Sequence, residues 1–162
     1  GKNFRAFLIY KFRTMKENSE LSGPLITIGE DPRITRIGRF LRKAKLDELP
    51  QLINVLKGEM SLVGPRPELP RFVELFQREY AEILTVRPGI TDLASLKYRD
   101  EAALLYEAKN PEEEYLKQIL PDKIRLAKDY LQRASFFFDL SLIVRTIIKL
   151  IDGRVFSLSS RA

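Results

Sequence analysis

The chain has 162 residues, of which 44% are hydrophobic, and this is enough for one domain with a packed core. It has no cysteine, which excludes disulfides, thiolate catalysis and thiolate metal sites within it. It also has no histidine, which removes the Ser-His-Asp triad and the usual zinc ligands. The formal charge of +6 indicates nucleic acid, anionic membrane or phosphorylated small molecules as partners.

Short apolar stretches and turn-rich breaks alternate before residue 34. Residues 4–10 have the apolar and aromatic composition that predicts a short strand. The segment from Asn18 to Pro24 predicts a loop, and residues 30–32 predict a second break. No uninterrupted apolar run approaches the ~20 residues of a membrane-spanning helix.

A helix is predicted from Ile34, because apolar residues recur there at the spacing of one helical face. The residues of this face are Ile37, Phe40, Leu41 and Ala44. A second face is basic and carries Arg36, Arg39 and Lys43, with Arg42 beside them. Such a face is either solvated surface or a surface that binds phosphate or a membrane.

A further helix is predicted around Pro50, which lacks an N–H group and is tolerated only in the first turn of a helix. Asp47 then becomes the N-cap, with Glu48 just inside, and Gly58 ends the helix. The predicted apolar face consists of Leu49, Leu52, Ile53 and Leu56.

The middle of the chain predicts loops and helices in turn. Residues 59–67 predict a stiff loop, residues 71–84 an amphipathic helix, and residues 86–89 a turn before Ile90. Residues 100–133 predict helices, and the interruptions are expected near Asn110-Pro111 and at Pro121.

The last predicted helix, from Phe136 to Ile151, is strongly apolar. Its apolar side holds Phe136, Leu140, Ile143, Val144, Ile147 and Ile151. Its other side holds Asp139, Arg145, Thr146 and Lys149. A core helix is the commoner interpretation of this pattern, whereas three consecutive phenylalanines and flanking cations also suit a membrane interface.

Three features could converge on a phosphate group. The Asp47-Glu48 pair at a helix start either caps the helix or holds Mg²⁺, which prefers oxygen ligands. Arg66 stands between two prolines, which makes it either the tip of a rigid turn or a pre-placed phosphate ligand. The remaining cations lie beside turns or helix ends, where each is either a surface charge or a phosphate contact: Lys11, Arg13, Arg42 and Arg87.

Four motifs follow one another between Gly1 and about Ala94. They are Tyr10-Lys11-Phe12-Arg13-Thr14-Met15, then Leu46-Asp47-Glu48-Leu49-Pro50-Gln51-Leu52 with Asn54-Val55-Leu56-Lys57-Gly58, then Met60-Ser61-Leu62-Val63-Gly64-Pro65-Arg66-Pro67, and Val86-Arg87-Pro88-Gly89-Ile90-Thr91. In order and spacing they resemble the bacterial sugar transferase family. These are monotopic phosphoglycosyl transferases, which start polysaccharide and glycoprotein glycan assembly.

The resemblance implies a role for each candidate residue. Asp47 would be the nucleophile of an Asp-Glu dyad, Glu48 would be its partner, and the two would hold Mg²⁺. The phosphate-binding residues would be Arg66, Arg42, Lys11, Arg13 and Arg87.

The resemblance also implies a reaction and a location. A sugar-1-phosphate would pass from a UDP-sugar to polyprenyl (undecaprenyl) phosphate through a covalent aspartyl-phosphosugar intermediate, releasing UMP. This is the first membrane step of glycan or polysaccharide assembly, such as that of exopolysaccharide, O-antigen or capsule. A carboxylate nucleophile suits a chain without histidine, because it needs no base at neutral pH. The expected location is the cytoplasmic face of the bacterial inner membrane. No nucleic-acid partner is expected, and the resemblance is compatible with an oligomer.

The sequence departs from the commoner family pattern after Thr91. Many members continue with G-L-A-Q and an Asn-Gly-Arg stretch, whereas this chain has Asp92-Leu93-Ala94-Ser95 and then Lys97-Tyr98-Arg99-Asp100-Glu101. We expect this region to shape the sugar pocket, so the sugar is not indicated. The family's apolar membrane segment is expected upstream of Gly1.

Two other functions fit parts of the sequence. A non-enzymatic basic module that binds anionic lipid or nucleic acid would explain the charge and the amphipathic helices. It would not explain an acidic pair beside a rigid arginine, or aromatics that lie in apolar runs rather than as stacking platforms. A magnesium-dependent phosphohydrolase would use the same two carboxylates.

The expected fold class is α+β, mostly helical with short strands, and with amphipathic helices packed at the membrane interface. One catalytic domain would cover residues 1–162. Within it the motif core would occupy residues 1–94, a helical part residues 100–152, and a tail residues 153–162.

Overall fold

The computed structural model describes residues 1–17, 31–99 and 101–159, with side chains described as far as Ile151 in the last helix. The α-helices are α1 (Arg36–Lys43), α2 (Gln51–Leu56), α3 (Pro70–Leu75), α4 (Gln77–Ile83), α5 (Leu93–Lys97), α6 (Glu101–Glu107), α7 (Pro111–Glu114), α8 (Leu120–Arg133) and α9 (Phe136–Ser159). Strands β1 (Ser61–Val63) and β2 (Gly89–Thr91) pair in parallel, with Ser61 opposite Gly89 and Val63 opposite Thr91. The mostly helical α+β class is thereby confirmed.

Among the described residues, the hydrophobic core consists of two clusters. The larger one joins α3, α4, α6 and α8, and its fully buried members include Phe72, Ile83, Leu105 and Leu120. The smaller one packs β1 against α8 and α9 through Val63, Tyr130 and Leu142. The strand pair is therefore held from the side by helices, and this fixes the loops that leave the ends of the two strands.

The strand predicted over residues 4–10 is wrong. Lys2–Phe4 form a 3₁₀ turn, and residues 5–10 belong to no strand in the described part of the chain. The side chain of Asn54 holds this segment instead, because its Oδ1 accepts from the Tyr10 N–H at 3.1 Å and its Nδ2 donates to the Leu8 carbonyl at 2.8 Å. A side chain thus satisfies backbone groups that a neighbouring strand would otherwise pair.

Other predicted boundaries shift in the structure. The loop predicted over residues 59–67 contains β1, because Val63 is buried and its strand pairs with β2. The single helix predicted over residues 71–84 is divided into α3 and α4 at Phe76, whose φ of −121° and ψ of 41° are not helical. The predicted loop from Asn18 to Pro24 and the first residue of the next predicted break, Glu30, lie outside the described residues.

The predicted interruption at Asn110-Pro111 is confirmed, and the one near Pro121 takes the form of a π-helical turn just before α8. Asn110 caps α7, and Pro111 occupies its first turn. The chain then stays helical through a π-helical turn, Tyr115–Ile119, directly into α8. Pro121 lies in the first turn of α8, where proline is tolerated.

The apolar face of α2 points away from the domain. The predicted apolar face of Leu49, Leu52, Ile53 and Leu56 is largely exposed, and Leu56 is 88% exposed. The polar face of α2 lies inside instead, where Gln51 and Asn54 are buried. The long-range hydrogen bonds of Asn54 with the backbone at Leu8 and Tyr10 hold this polar face inside, and its Nδ2 also donates to Oε2 of Glu59 at 2.7 Å.

Helix α9 is inverted in the same way. Its predicted apolar side is mostly exposed, with Phe136, Leu140, Val144, Ile147 and Ile151 in this group. Its polar side contacts the domain, since Asp139 accepts from the Tyr130 hydroxyl at 3.0 Å and Thr146 shares a hydrogen bond with Thr91 at 2.5 Å. The core-helix interpretation of that apolar side is therefore wrong, and Leu142 supplies the buried contact.

Within the described part of the chain, no helix combines the length and the apolarity that crossing a bilayer requires.

Candidate active site

Asp47 and Glu48 lie in a 3₁₀ turn, Leu46–Glu48, between α1 and α2. Lys45, which precedes the turn, has a φ of 54° in the left-handed region, which is uncommon for a residue other than glycine. Pro50 takes the N-cap position of α2, so the predicted N-cap role of Asp47 is wrong. The predicted end of the helix is confirmed, because Gly58 follows it with a φ of 73°.

The carboxylate of Asp47 is buried but incompletely satisfied. Asp47 is 9% exposed, and its Oδ1 has no hydrogen-bond partner among the described residues. Its backbone carbonyl accepts from the Phe12 N–H at 3.0 Å, and this contact holds the turn against the first motif. A buried polar atom without a partner is costly in a folded protein, so it calls for a functional explanation.

Two cations hold the neighbouring carboxylate of Glu48. Lys11 Nζ lies 3.1 Å from its Oε1, and Arg66 donates from Nη2 to Oε1 at 2.6 Å and from Nη1 to Oε2 at 3.3 Å. Burial alone would raise the pKa of Glu48, but the charges and hydrogen bonds of Arg66 and Lys11 outweigh it and lower that pKa to about 2. Glu48 is therefore ionised at neutral pH.

Arg66 reaches Glu48 from the loop after β1. The carbonyl of Pro65 accepts from the Gly89 N–H at 3.0 Å, and the Arg66 N–H donates to Oδ2 of Asp92 at 3.1 Å. The Arg66 side chain is 33% exposed, so a ligand at the surface can reach it. The sequence analysis selected Asp47, Glu48 and Arg66 as site residues but missed Asp92. The available signal was an aspartate three residues before Ser95, the spacing of an N-cap.

The other predicted cations are placed differently from one another. Arg42, on the last turn of α1, donates from Nε to the buried Thr14 hydroxyl at 2.8 Å. Arg13 pairs with Glu17 at 2.8 Å on the surface. Arg87 is exposed near Gly58, where an added Cβ would lie 3.8 Å from Nη2 of Arg87. The described contacts join Lys11 and Arg66 to the dyad and do not join Arg13 or Arg87 to it.

The dyad fits a magnesium ion through one of its two carboxylates. Mg²⁺ is usually held by one or two carboxylates together with water and substrate phosphates. The unpartnered Oδ1 of Asp47 fits this role. Both oxygens of Glu48 already accept hydrogen bonds from cations, so Glu48 is the less available ligand. No group of three or more acidic side chains with metal-site geometry occurs in the described ranges.

An anionic dyad beside fixed cations can hold a phosphorylated ligand while presenting a carboxylate to it. The sequence model of the bacterial sugar transferase family matches residues 1–153. The chain belongs to the bacterial sugar transferase family.

Curated relatives match almost the whole chain. It is 38% identical over 158 residues to a UDP-N-acetylgalactosamine-undecaprenyl-phosphate N-acetylgalactosaminephosphotransferase of Aeromonas hydrophila, covering 94% of this chain and 34% of that protein. It is 37% identical over 151 residues to the uncharacterized sugar transferase EpsL of Bacillus subtilis, covering 93% of this chain and 66% of that protein. It is 37% identical over 150 residues to a UDP-glucose:undecaprenyl-phosphate glucose-1-phosphate transferase of Caulobacter vibrioides, covering 90% of this chain and 51% of that protein. The chain thus spans between about a third and two thirds of the length of these relatives.

Proposed function

We propose that this chain transfers a sugar-1-phosphate from a UDP-sugar to a polyprenyl phosphate, with Asp47 as the nucleophile. The observation that carries the proposal is the buried Asp47 carboxylate with an unpartnered oxygen, next to a glutamate already neutralised by Arg66 and Lys11. The names of the relatives from Aeromonas hydrophila and Caulobacter vibrioides support the reaction class, because both act on undecaprenyl phosphate.

In the first step, an oxygen of Asp47 attacks the β-phosphorus of the donor. A bond forms between that oxygen and phosphorus, and the bond from phosphorus to the bridging oxygen breaks, so that UMP leaves with the electron pair. Arg66 stabilises the charge that develops on the phosphate oxygens, since its guanidinium is fixed at the dyad and a third exposed. The product is a mixed anhydride between Asp47 and the sugar phosphate.

In the second step, a phosphate oxygen of the polyprenyl phosphate attacks the same phosphorus. The bond to Asp47 breaks, the carboxylate is regenerated, and a polyprenyl diphosphate sugar leaves. The acceptor is already an anion, so this step needs no general base. The negative charge of Glu48, held by Lys11 and Arg66, keeps both cations beside Asp47 through the two steps.

We include Mg²⁺ in the proposal, with Asp47 as its protein ligand. When bound, Mg²⁺ neutralises charge on the diphosphate of the donor. Asp47 and the substrate phosphates would hold it, because the Glu48 oxygens are engaged with Arg66 and Lys11.

We also propose that the active site lies at the cytoplasmic surface of a membrane, where a long isoprenoid presents its phosphate. The outward apolar residues of α1, of α2 and of the position before Pro50 support this: Ile37, Phe40, Leu49, Leu52, Ile53 and Leu56, here called the outer apolar face. They flank the Asp47-Glu48 turn, and the exposed Arg36, Arg39 and Lys43 of α1 are next to them. Apolar side chains with adjacent cations favour the interface of an anionic bilayer.

Incubation with UDP-sugars tests the reaction against its two rivals. Release of UMP that depends on added polyprenyl phosphate supports transfer. Multiple turnovers without the acceptor would indicate a phosphohydrolase. If no UDP-sugar released UMP, the chain would be a non-enzymatic binding module. A panel of UDP-sugars in the same assay identifies the sugar.

A further inference from the structure

The segment Pro65-Arg66-Pro67 has one backbone N–H group, because neither proline carries one. On its N-terminal side the segment is tied to β2, since Gly64 N–H donates to the Thr91 carbonyl at 3.1 Å and Gly89 N–H donates to the Pro65 carbonyl at 3.0 Å. The single N–H, that of Arg66, donates to Oδ2 of Asp92 at 3.1 Å. This bond acts on the residue that carries the guanidinium.

Asp92 is itself firmly held. It is 3% exposed, and its Oδ1 accepts from the Ser95 N–H at 2.6 Å, which caps α5. Each of its two oxygens thus serves a different segment, one the arginine loop and the other a helix. A carboxylate can accept at both positions at once, whereas an amide or a hydroxyl offers only one acceptor atom.

The contacts continue from Asp92 to the dyad. Asp92 holds the backbone of Arg66, the guanidinium of Arg66 holds Glu48, and Glu48 adjoins Asp47. Asp92 is almost fully buried, and its described contact toward the dyad is the one to the Arg66 backbone.

We propose that Asp92 is a positioning residue of this active site, which sets Arg66 against Glu48 without touching the substrate. The meaning of this role for catalysis rests on the proposed function. Loss of Oδ2 leaves the Arg66 N–H without its acceptor and lets the guanidinium sample other directions, which weakens its hold on the donor phosphate.

The substitution Asp92→Ser separates the two roles of the side chain. Serine is a preferred N-cap and preserves the bond to Ser95, but its short side chain cannot also reach the Arg66 N–H. We expect kcat/KM for the UDP-sugar to fall about tenfold, while the KM for polyprenyl phosphate stays unchanged. Asn110→Ala removes the N-cap of α7 and is the matched control, with wild-type kinetics expected.

A double-mutant cycle identifies the route of the effect. If Asp92 acts through Arg66, then Asp92→Ser lowers kcat/KM by less than about twofold in an Arg66→Ala background. A full tenfold loss in that background would overturn the proposal, because Asp92 would then act independently of Arg66. If Asp92→Ser does not fold, Asp92→Asn takes its place in the same cycle, since one acceptor oxygen remains for two N–H groups.

Amide hydrogen exchange measured by NMR tests the anchor without any substrate. In Asp92→Ser the Arg66 amide should exchange at least about tenfold faster, while the Ser95 amide keeps its protection. Unchanged exchange at Arg66 would overturn the proposal. If the wild-type chain shows no acceptor-dependent transfer but the Arg66 amide responds as expected, the proposed function fails and the anchoring by Asp92 stands.

Discussion

Arg66 donates two hydrogen bonds to the two oxygens of Glu48, from Nη2 to Oε1 at 2.6 Å and from Nη1 to Oε2 at 3.3 Å. The two residues are 18 positions apart in the chain, and each lies in a turn that is held by other contacts. This fork requires the planar guanidinium, because a lysine ammonium can address only one oxygen at a time with comparable geometry. The pair therefore fixes the charge distribution beside Asp47.

Arg66→Lys tests whether the fork matters beyond the charge. We expect kcat/KM for the UDP-sugar to fall about tenfold in Arg66→Lys and about a hundredfold in Arg66→Ala. Arg71→Lys is the matched control, because Arg71 lies on α3 and forms a surface pair with Glu112 that does not involve the dyad. Steady-state kinetics with varied donor measures all three variants. An unchanged kcat/KM in Arg66→Ala would show that Arg66 only supports the turn and does not contact the donor.

The stability of the fold should depend on the ionisation of Glu48 at acid pH. The folded-state pKa of Glu48 is about 2, below its ordinary value of 4.5, so its stabilising contribution is complete above pH 4.5 and is lost as pH falls toward 2. Urea unfolding between these pH values should show a shallower decline of the unfolding free energy in Glu48→Gln than in the wild type. Glu107→Gln, an exposed carboxylate of α6, should keep the wild-type slope. Equal slopes in Glu48→Gln and the wild type would contradict the role of the ion pairs.

Asn54 should be a major stabilising residue despite its place in a short helix. Its fully buried amide makes hydrogen bonds with the backbone at Leu8 and Tyr10 and with Glu59. We expect Asn54→Ala to lower the unfolding free energy by about 2–3 kcal/mol, because buried partners lose their bonds. Asn110→Ala, which removes an exposed cap, should cost about 1 kcal/mol or less in the same urea titration. A cost for Asn54→Ala no larger than that of the control would show that residues 5–10 are held by other contacts.

Binding to anionic liposomes tests the outer apolar face and α9. We expect the chain to sediment with anionic vesicles at low salt and to be largely released at high salt, because exposed charges are screened over ~8 Å at physiological ionic strength. Leu56→Ser should weaken binding several-fold, since Leu56 is the most exposed member of the face. Leu104→Ser, which changes an exposed leucine of α6 outside that face, is the control. If the chain does not bind anionic vesicles at low salt, membrane docking through these helices is contradicted.

The sequence predicts helices well where periodicity and end signals agree. The termination of α2 before Gly58 and the start of α7 at Pro111 follow from single residues with strong backbone preferences. Periodicity does not say which side faces the domain. In α2 the buried side is chosen by Asn54, whose partners at Leu8 and Tyr10 are more than forty residues away in the chain.

The candidate site was predicted in part. The motifs select Asp47, Glu48 and Arg66, and the structure brings Glu48 and Arg66 together with Lys11. The sequence predicts a capping role for Asp47, because an aspartate before a helix usually caps it. It fails because Lys45 turns the chain through the left-handed region and Asp47 falls in a separate 3₁₀ turn. The link from Asp92 to Arg66 depends on the pairing of β1 with β2, which no local pattern specifies.

Intact-mass analysis of the chain mixed with a UDP-sugar, without acceptor, tests the central claim most directly. We expect a mass increase of one sugar phosphate and release of about one equivalent of UMP per active site. Asp47→Asn should stay folded and form no adduct, because an amide is a very poor nucleophile, whereas Asp129→Asn, which changes an aspartate on the surface of α8, should form it as the wild type does. A sugar-phosphate adduct on Asp47 is the predicted result. No adduct in the wild type, together with transfer that requires donor and acceptor to be bound at once, would contradict it.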